Sequence, residues 1–446
     1  MLFGKGLKSA IRAAVILCTS AGVTAGVGPA ARADAVDRLK PEYLKSLHAA
    51  VEGLKGDRQS VSLPSSLTDY RGAIHVHSGL SHDSRSPLAE VVAGAKQAGV
   101  RILMFTEHPV PHHDYFKEGH RGMVDGVLLI PGAELTGLLA FPTDSVPEGG
   151  SDPQAQVDAV LKTHGQIFLC HLEERMDWEL KGLTGSEIYN LHADFKDETR
   201  LIKSMRSLQG LLTLLPASRN YPQETMAALM DYPADYLRRY DQLCQKSRLT
   251  GIAANDAHHN NAVKAVVLED GRLQMVDALG KKLAKIDPTK TPLLKLVLPG
   301  NLHPGDVVPL LDLDPYERSF RHVSTHLFLP QLTERAVRDA LIAGRAYVSF
   351  DWIGDPTGFN FQAVRGRQVH EMGSEAPSGQ GTVLRSVSPL PARFRLIRDG
   401  KEVHTSIGRA YEHPIEAPGN YRLEVWVNLA ETPQIWILSN PIYVRG

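Results

Sequence analysis

"YRGAIHVHSGLSHDSRSPLAEVVAGAKQAGVRILMFTEHP", Tyr70 to Pro109, carries one structural unit from end to end. A short apolar run, GAIHVH, leads into a polar loop, then an amphipathic stretch, then a second apolar run, RILMF. Ser86 fits an N-cap, Pro87 the first helical position and Gly99 the C-cap. Leu88, Val91, Val92 and Ala95 fall on one face of the helix between. The stretch therefore predicts strand, helix, strand. Five more apolar runs continue the pattern: GVLLIPGAE, GQIFLCH, SEIYN, LLTLL and LTGIAAND. Seven such runs alternating with helical stretches predict parallel βα units. Ionisable residues gather at the C-terminal ends of the runs, the edge where a βα-barrel builds its site.

The flanks read differently. Lys5, Lys8 and Arg12 precede the apolar AAVILCTSAGV, and Ala31 and Ala33 supply small residues, the pattern of a secretory signal peptide cleaved near Ala33. That run falls short of the ~20 residues of a membrane span. A secreted or periplasmic protein with no membrane span after processing is expected. Loss of residues 1–33 removes four cations and no acid, so the formal charge of −1 becomes −5. A mildly acidic surface offers no footprint for nucleic acid. The processed chain keeps only Cys170 and Cys244, which excludes a disulfide scaffold.

Residues 34–66 read as a helical extension, the amphipathic VDRLKPEYLKSLHAAVEGL followed by a loop. Residues 67–300 hold the barrel. Beyond about 300 the texture changes. LFLPQLTERAVRDALIAGRAYVSF predicts a helix between two strands, and later segments alternate apolar and polar residues, with Asp399-Gly400 as a hairpin turn. Residues 301–446 are expected to form a small β-sandwich-like accessory domain.

The histidines give the chain its chemistry. His75 and His77 lie two apart in a strand and so share a face. Other runs end in Glu107 and His108, in Glu134, in His171, and in Asp256 and His258. Imidazole and carboxylate together suit Zn²⁺, Mn²⁺ or Fe²⁺. The set is too large for one tetrahedral ion, so two or three divalent ions are expected. Two such ions can hold a hydroxide between them and stabilise a displacement at phosphorus.

His75-x-His77, Asp83, Thr106-Glu107-His108, Gly132-Ala133-Glu134, His171 and Asp256-Ala257-His258 resemble the successive motifs of the polymerase and histidinol phosphatase (PHP) superfamily of metallohydrolases. The resemblance spans about residues 70–260. The tail, from ALIAGRAYVS to WILSNPIYV, looks more loosely like a branch that includes a carbamate hydrolase. The resemblance implies a distorted seven-stranded βα-barrel and hydrolysis of phosphoesters. It also implies one ion on His75, His77, Glu134 and Asp256, a second sharing Glu134 with His171, and a third on Asp83, His108 and His258. Asp256 or His258 would move a proton. Relatives usually supply a further histidine between the positions of Glu134 and His171; here that stretch lacks one among the motif positions, and His164 or His192 is the candidate substitute.

His82 is a weak ligand candidate beside Asp83. His112, His113, His120 and His259 are candidates to support the site or face substrate, and Arg85, Arg121 and Arg175 to bind an anion. No Gly-x-Ser-x-Gly, Walker A or Gly-x-Gly-x-x-Gly motif is present. The expected activity is a metal-dependent phosphoesterase acting through a metal-bridged hydroxide on a small-molecule ester. The competing expectations are a metal-dependent hydrolase of carboxylic esters, amides or carbamates, and a non-catalytic metal-bearing binding protein.

Overall fold

The computed structural model describes residues 35–110, 113–145, 151–198, 208–291 and 298–446. The segment read as a signal peptide lies outside them. From Ala35 onward the chain forms one compact unit. Pro41 splits the expected N-terminal helix into Ala35–Arg38 and Pro41–Asp57, taking the first position of the second piece, where its missing N–H costs nothing.

The barrel strands are β1 (Thr68–Val76), β2 (Ile102–Phe105), β3 (Gly122–Val124), β4 (Val127–Ile130), β5 (Ala133–Leu135), β6 (Leu138–Phe141), β7 (Gln166–Leu169), β8 (Gly185–Asn190) and β9 (Thr250–Ala257). β4, β2, β1, β9, β8 and β7 pair in that order, all parallel. β6 then pairs antiparallel with both β7 and β5. A parallel bridge from Glu107 to Ala133 closes the circuit. GVLLIPGAE yields two strands, broken at Pro131-Gly132. A side chain at Gly132 would meet the Phe141 ring at 2.5 Å, so only glycine lets β6 pack there.

Three expectations need correction. LLTLL is not a strand but part of the helix Leu208–Asn220. Five apolar residues suit a buried helix as well as a strand, and only the longer frame separates them. The strands missed were β3 and β6, the latter hidden in LTGLLAFPT, and their antiparallel pairings break the all-parallel pattern. The helix after β1 spans Leu88–Ala98, with Pro87 rather than Ser86 at its cap and Gly99 left-handed at its end, as Lys96 and Ala95 carbonyls accept from that end.

After β9 the chain makes a separate antiparallel sheet in the order β12-β11-β10-β13, from β10 (Ala262–Val267), β11 (Leu273–Asp277), β12 (Lys282–Ile286) and β13 (Val307–Asp312). β14 (Ser324–Leu329), the helix Glu334–Ala343 and β15 (Ala346–Ser349) follow, the expected strand, helix, strand. Hydrogen bonding runs through the expected boundary near residue 300. β14 lies antiparallel to the first half of β1, from Thr68↔Leu329 to Gly72↔Thr325, on the edge that β9 occupies further along.

The remaining strands are β16 (Asn360–Arg365), β17 (Gln368–Glu371), β18 (Glu375–Pro377), β19 (Thr382–Arg398), β20 (Lys401–Pro414), β21 (Gly419–Leu429), β22 (Thr432–Ser439) and β23 (Ile442–Arg445). β22 pairs with β15 and so joins this set to the barrel. Asp399 and Gly400, at φ 50° and 81°, make the two-residue turn between β19 and β20. One apolar cluster includes Leu138 and Ile167 of the barrel with Phe394 and Trp436 of the tail.

Candidate metal centre

His75 shows how the backbone aims a side chain. The pairing of β1 with both β2 and β9 slips between Ile74 and Val76, and His75 sits in the slip at φ 70°. His171 and Asp256 are also left-handed, each at φ 46°. Such backbone costs about 1–3 kcal/mol per residue, and it clusters where a site over-determines it. Strand alternation brought His75 and His77 together on paper; in the structure a bulge does so.

Two carboxylates organise the imidazoles. Glu134 Oε2 lies 3.2 Å from His75 Nε2, 3.5 Å from His77 Nε2 and 3.6 Å from His108 Nε2, and its Oε1 is 3.3 Å from His171 Nε2. Asp256 Oδ1 lies 3.2 Å from His75 Nε2 and 3.4 Å from His77 Nε2, while its Oδ2 is 3.5 Å from His171 Nε2. Asp83 Oδ2 sits between His108 and His258, at 3.2 and 3.1 Å. The candidate ligand atoms form two sets of four, His75–Glu134–His171–Asp256 and His77–Asp83–His108–His258, with all atoms of a set within 4.8 Å of one another. A third set, His192–Asp256–His258, overlaps them. This grouping moves His77 from the first ion implied by the resemblance toward the Asp83 ion, and His171 to the first.

The outer ring nitrogens are tied. His75 Nδ1 donates to Glu187 Oε1 at 2.7 Å, and Glu187 Oε2 accepts from the His171 backbone N–H and from Asn190 Nδ2. Ser81 Oγ donates to Glu107 Oε2, so it accepts from His77 Nδ1 at 3.1 Å. His258 Nδ1 donates to the Asp256 carbonyl at 2.8 Å. With those protons turned outward, the Nε2 lone pairs of His77 and His258 point inward. His77 Nε2, His258 Nε2, Asp83 Oδ1 and Asp256 Oδ1 are buried with no hydrogen-bond partner among the described residues. Lone pairs and carboxylates facing one another across 3–4 Å, unsatisfied, are costly unless a cation stands between them. The residues fit a divalent metal.

Charge agrees. Burial opposes ionisation of Asp83, Glu134 and Asp256, but the surrounding imidazoles hold all three below the usual carboxylate range. At His77 burial wins, aided by His258 and His75, and the pKa falls to about 3. At His171 burial is outweighed by Glu134 and Glu173, and the pKa is pushed up to about 10. Ionised carboxylates and a neutral imidazole are the forms that coordinate; a histidine with a raised pKa would release its proton to solvent on binding an ion.

All eight expected site residues thus meet at one rim. His192 joins them, with Nδ1 3.8 Å from Asp256 Oδ2, whereas His164 is exposed beyond the helix Pro153–Lys162 and belongs to none of the sets. His82 is exposed, its ring 4.9 Å from that of His108. His120 meets Ser78 Oγ, His113 pairs with Glu118, and His259 lies between Glu90 and Asp312. His112 lies outside the described residues. Arg85 and Arg121 are exposed, and Arg175 donates to the His171 carbonyl. Sequence reasoning missed Glu187, which is fully buried; an acid inside the apolar run SEIYN was the available signal. It also gave Glu107 no task, yet Glu107 clamps the Ser78–Ser81 turn through Ser78 N, Ser78 Oγ and Ser81 Oγ.

The arrangement defines a buried, rim-mounted site whose residues suit divalent cations. No protein-family model and no curated protein matches the chain. Among solved structures, it is similar to a two-domain protein from Bacteroides vulgatus ATCC 8482 described as containing a predicted PHP-like metal-dependent phosphoesterase. The likeness covers 86% of this chain and 99% of that one, at 14% identity and a TM-score of 0.36. A likeness this loose says nothing about chemistry, which rests on the side chains themselves.

Proposed function

We propose that this chain is an exported metal-dependent hydrolase of the PHP type, acting on a small phosphoester. What carries the reading is that candidate ligand atoms converge from five strand ends and the β1 loop, and that four of them, on His77, Asp83, Asp256 and His258, are buried with no hydrogen-bond partner among the described residues. The parallel run from β4 to β7, closed through β6 and β5, supports the reading by bringing these ends together. His75, Glu134, His171 and Asp256 would hold one divalent ion, and His77, Asp83, His108 and His258 another. Such ions, when bound, supply an acidified water and positive charge for a developing phosphorane. Glu134, reaching both sets, keeps them in register. His258, whose Nδ1 donates to the Asp256 carbonyl, would present its Nε2 lone pair to the second ion. The outward protons on His75 and His77 keep the inner nitrogens basic.

The test is a panel of chromogenic phosphomonoesters, phosphodiesters, carboxylic esters and carbamates, with Mn²⁺ or Zn²⁺ restored to chelated protein. Metal-dependent turnover of a phosphoester is expected. Turnover confined to carboxylic esters or carbamates would move the reaction to acyl carbon, and metal uptake with no turnover of any class would leave a binding protein.

A further inference from the structure

Beside the metal centre lies a cavity of about 40 Å³. Leu191, Leu214, Met226, Leu229 and Leu313 line it, each at most 8% exposed. His192 and Asp256 line the same space, so an apolar hole opens against a carboxylate of the centre. Asn255, whose Oδ1 is buried without a hydrogen-bond partner, lies on its wall. Leu214 and Leu229 also pack with Leu39, in the turn between the N-terminal helices, and with Leu44 of the second helix, which fixes the far wall. Unfilled apolar space forfeits packing contacts and holds water poorly, so an apolar group gains by entering.

Resting on the metal-hydrolase reading, we propose that this cavity receives a short branched alkyl group of the substrate, borne on the phosphoryl centre. Size sets the limit. An apolar cavity that takes benzene measures about 150 Å³, and one water-sized probe needs about 10–15 Å³. Roughly three carbons therefore fit here, and a phenyl ring does not.

Methyl-, isopropyl- and phenylphosphonate are titrated calorimetrically into the Mn²⁺-loaded protein, whose metal content is measured separately. Isopropylphosphonate should bind about tenfold tighter than methylphosphonate, the increment of two buried carbons, and phenylphosphonate no tighter than methyl. Leu191→Ala should shift the preference toward phenyl, and Met226→Trp should level the series; either variant suffices if the other fails to fold. Equal binding of all three, or none, by metal-loaded protein overturns the pocket and leaves the metal-hydrolase reading standing. A chain that takes up no metal overturns that reading and this inference with it.

Discussion

Glu187 meets no ligand-facing space, yet it holds His75 through one carboxylate oxygen and the His171 backbone through the other. Glu187→Gln keeps one acceptor and turns the other into a donor aimed at an N–H. Metal affinity should fall about 10–100-fold, as when such supporting acceptors are removed elsewhere. Metal titration checks this, with the melting temperature of chelated protein as the control for folding. His192 and His164 separate by the same logic. His192→Ala should release one ion selectively on dialysis, whereas His164→Ala should leave metal content unchanged; identical metal loss from both would remove His192 from the centre. Seven of the eight rim residues were legible because they stand at the ends of apolar runs, and Asp83 because the resemblance places a carboxylate six positions beyond His77. Glu187, Ser81 and Glu107 were not, because their partners come from loops and strands that only the fold brings near.

At the scale of elements, the barrel's other end is held by charge. His326 on β14 meets Asp69 of β1 at 2.9 Å through Nδ1, and Asp351 at 3.2 Å through Nε2. Arg71 reaches Asp351 at 2.9 Å, and Tyr347 of β15 donates to Asp69. Burial opposes charge on His326, but the two carboxylates outweigh it and raise the pKa from 6.5 to about 9. The folded state therefore binds the proton more tightly than the unfolded one. Its contribution, of order 3 kcal/mol, is whole below about pH 6.5, declines as pH rises and is gone above about 9. Urea unfolding between pH 6 and 10 should show a shallower decline in His326→Gln than in the wild type, the remainder coming from other raised histidines such as His171. The sequence showed β14 and β15 as strands but not their partner. Alternation tells which residues share a face, and says nothing of which edge a strand will find.

For the whole molecule, two outcomes follow. Ions bound to the folded chain alone stabilise it by mass action, so a chelator should lower the melting temperature and added Mn²⁺ or Zn²⁺ should restore it. An unchanged melting temperature would mean that the centre is empty of bound metal. Removal of residues 301–446 should leave a chain that does not fold cooperatively, because β14 covers the edge of β1 and tail residues share the barrel's apolar cluster. Circular dichroism of the truncated chain checks this, and a sharp native-like transition would restore an independent accessory domain. Among the described residues no helix is long and apolar enough to cross a membrane.

The pairing of β1 with β14 also sets a timetable. The first half of the first barrel strand finds its edge partner only after Leu329 has been made. Contacts between such distant parts of a chain are slow to form, because a long loop must close before they repay its entropy. A growing polypeptide of this topology stays open through most of its synthesis. That is the condition an exported chain needs, and under the proposed export the metal centre would assemble only after passage.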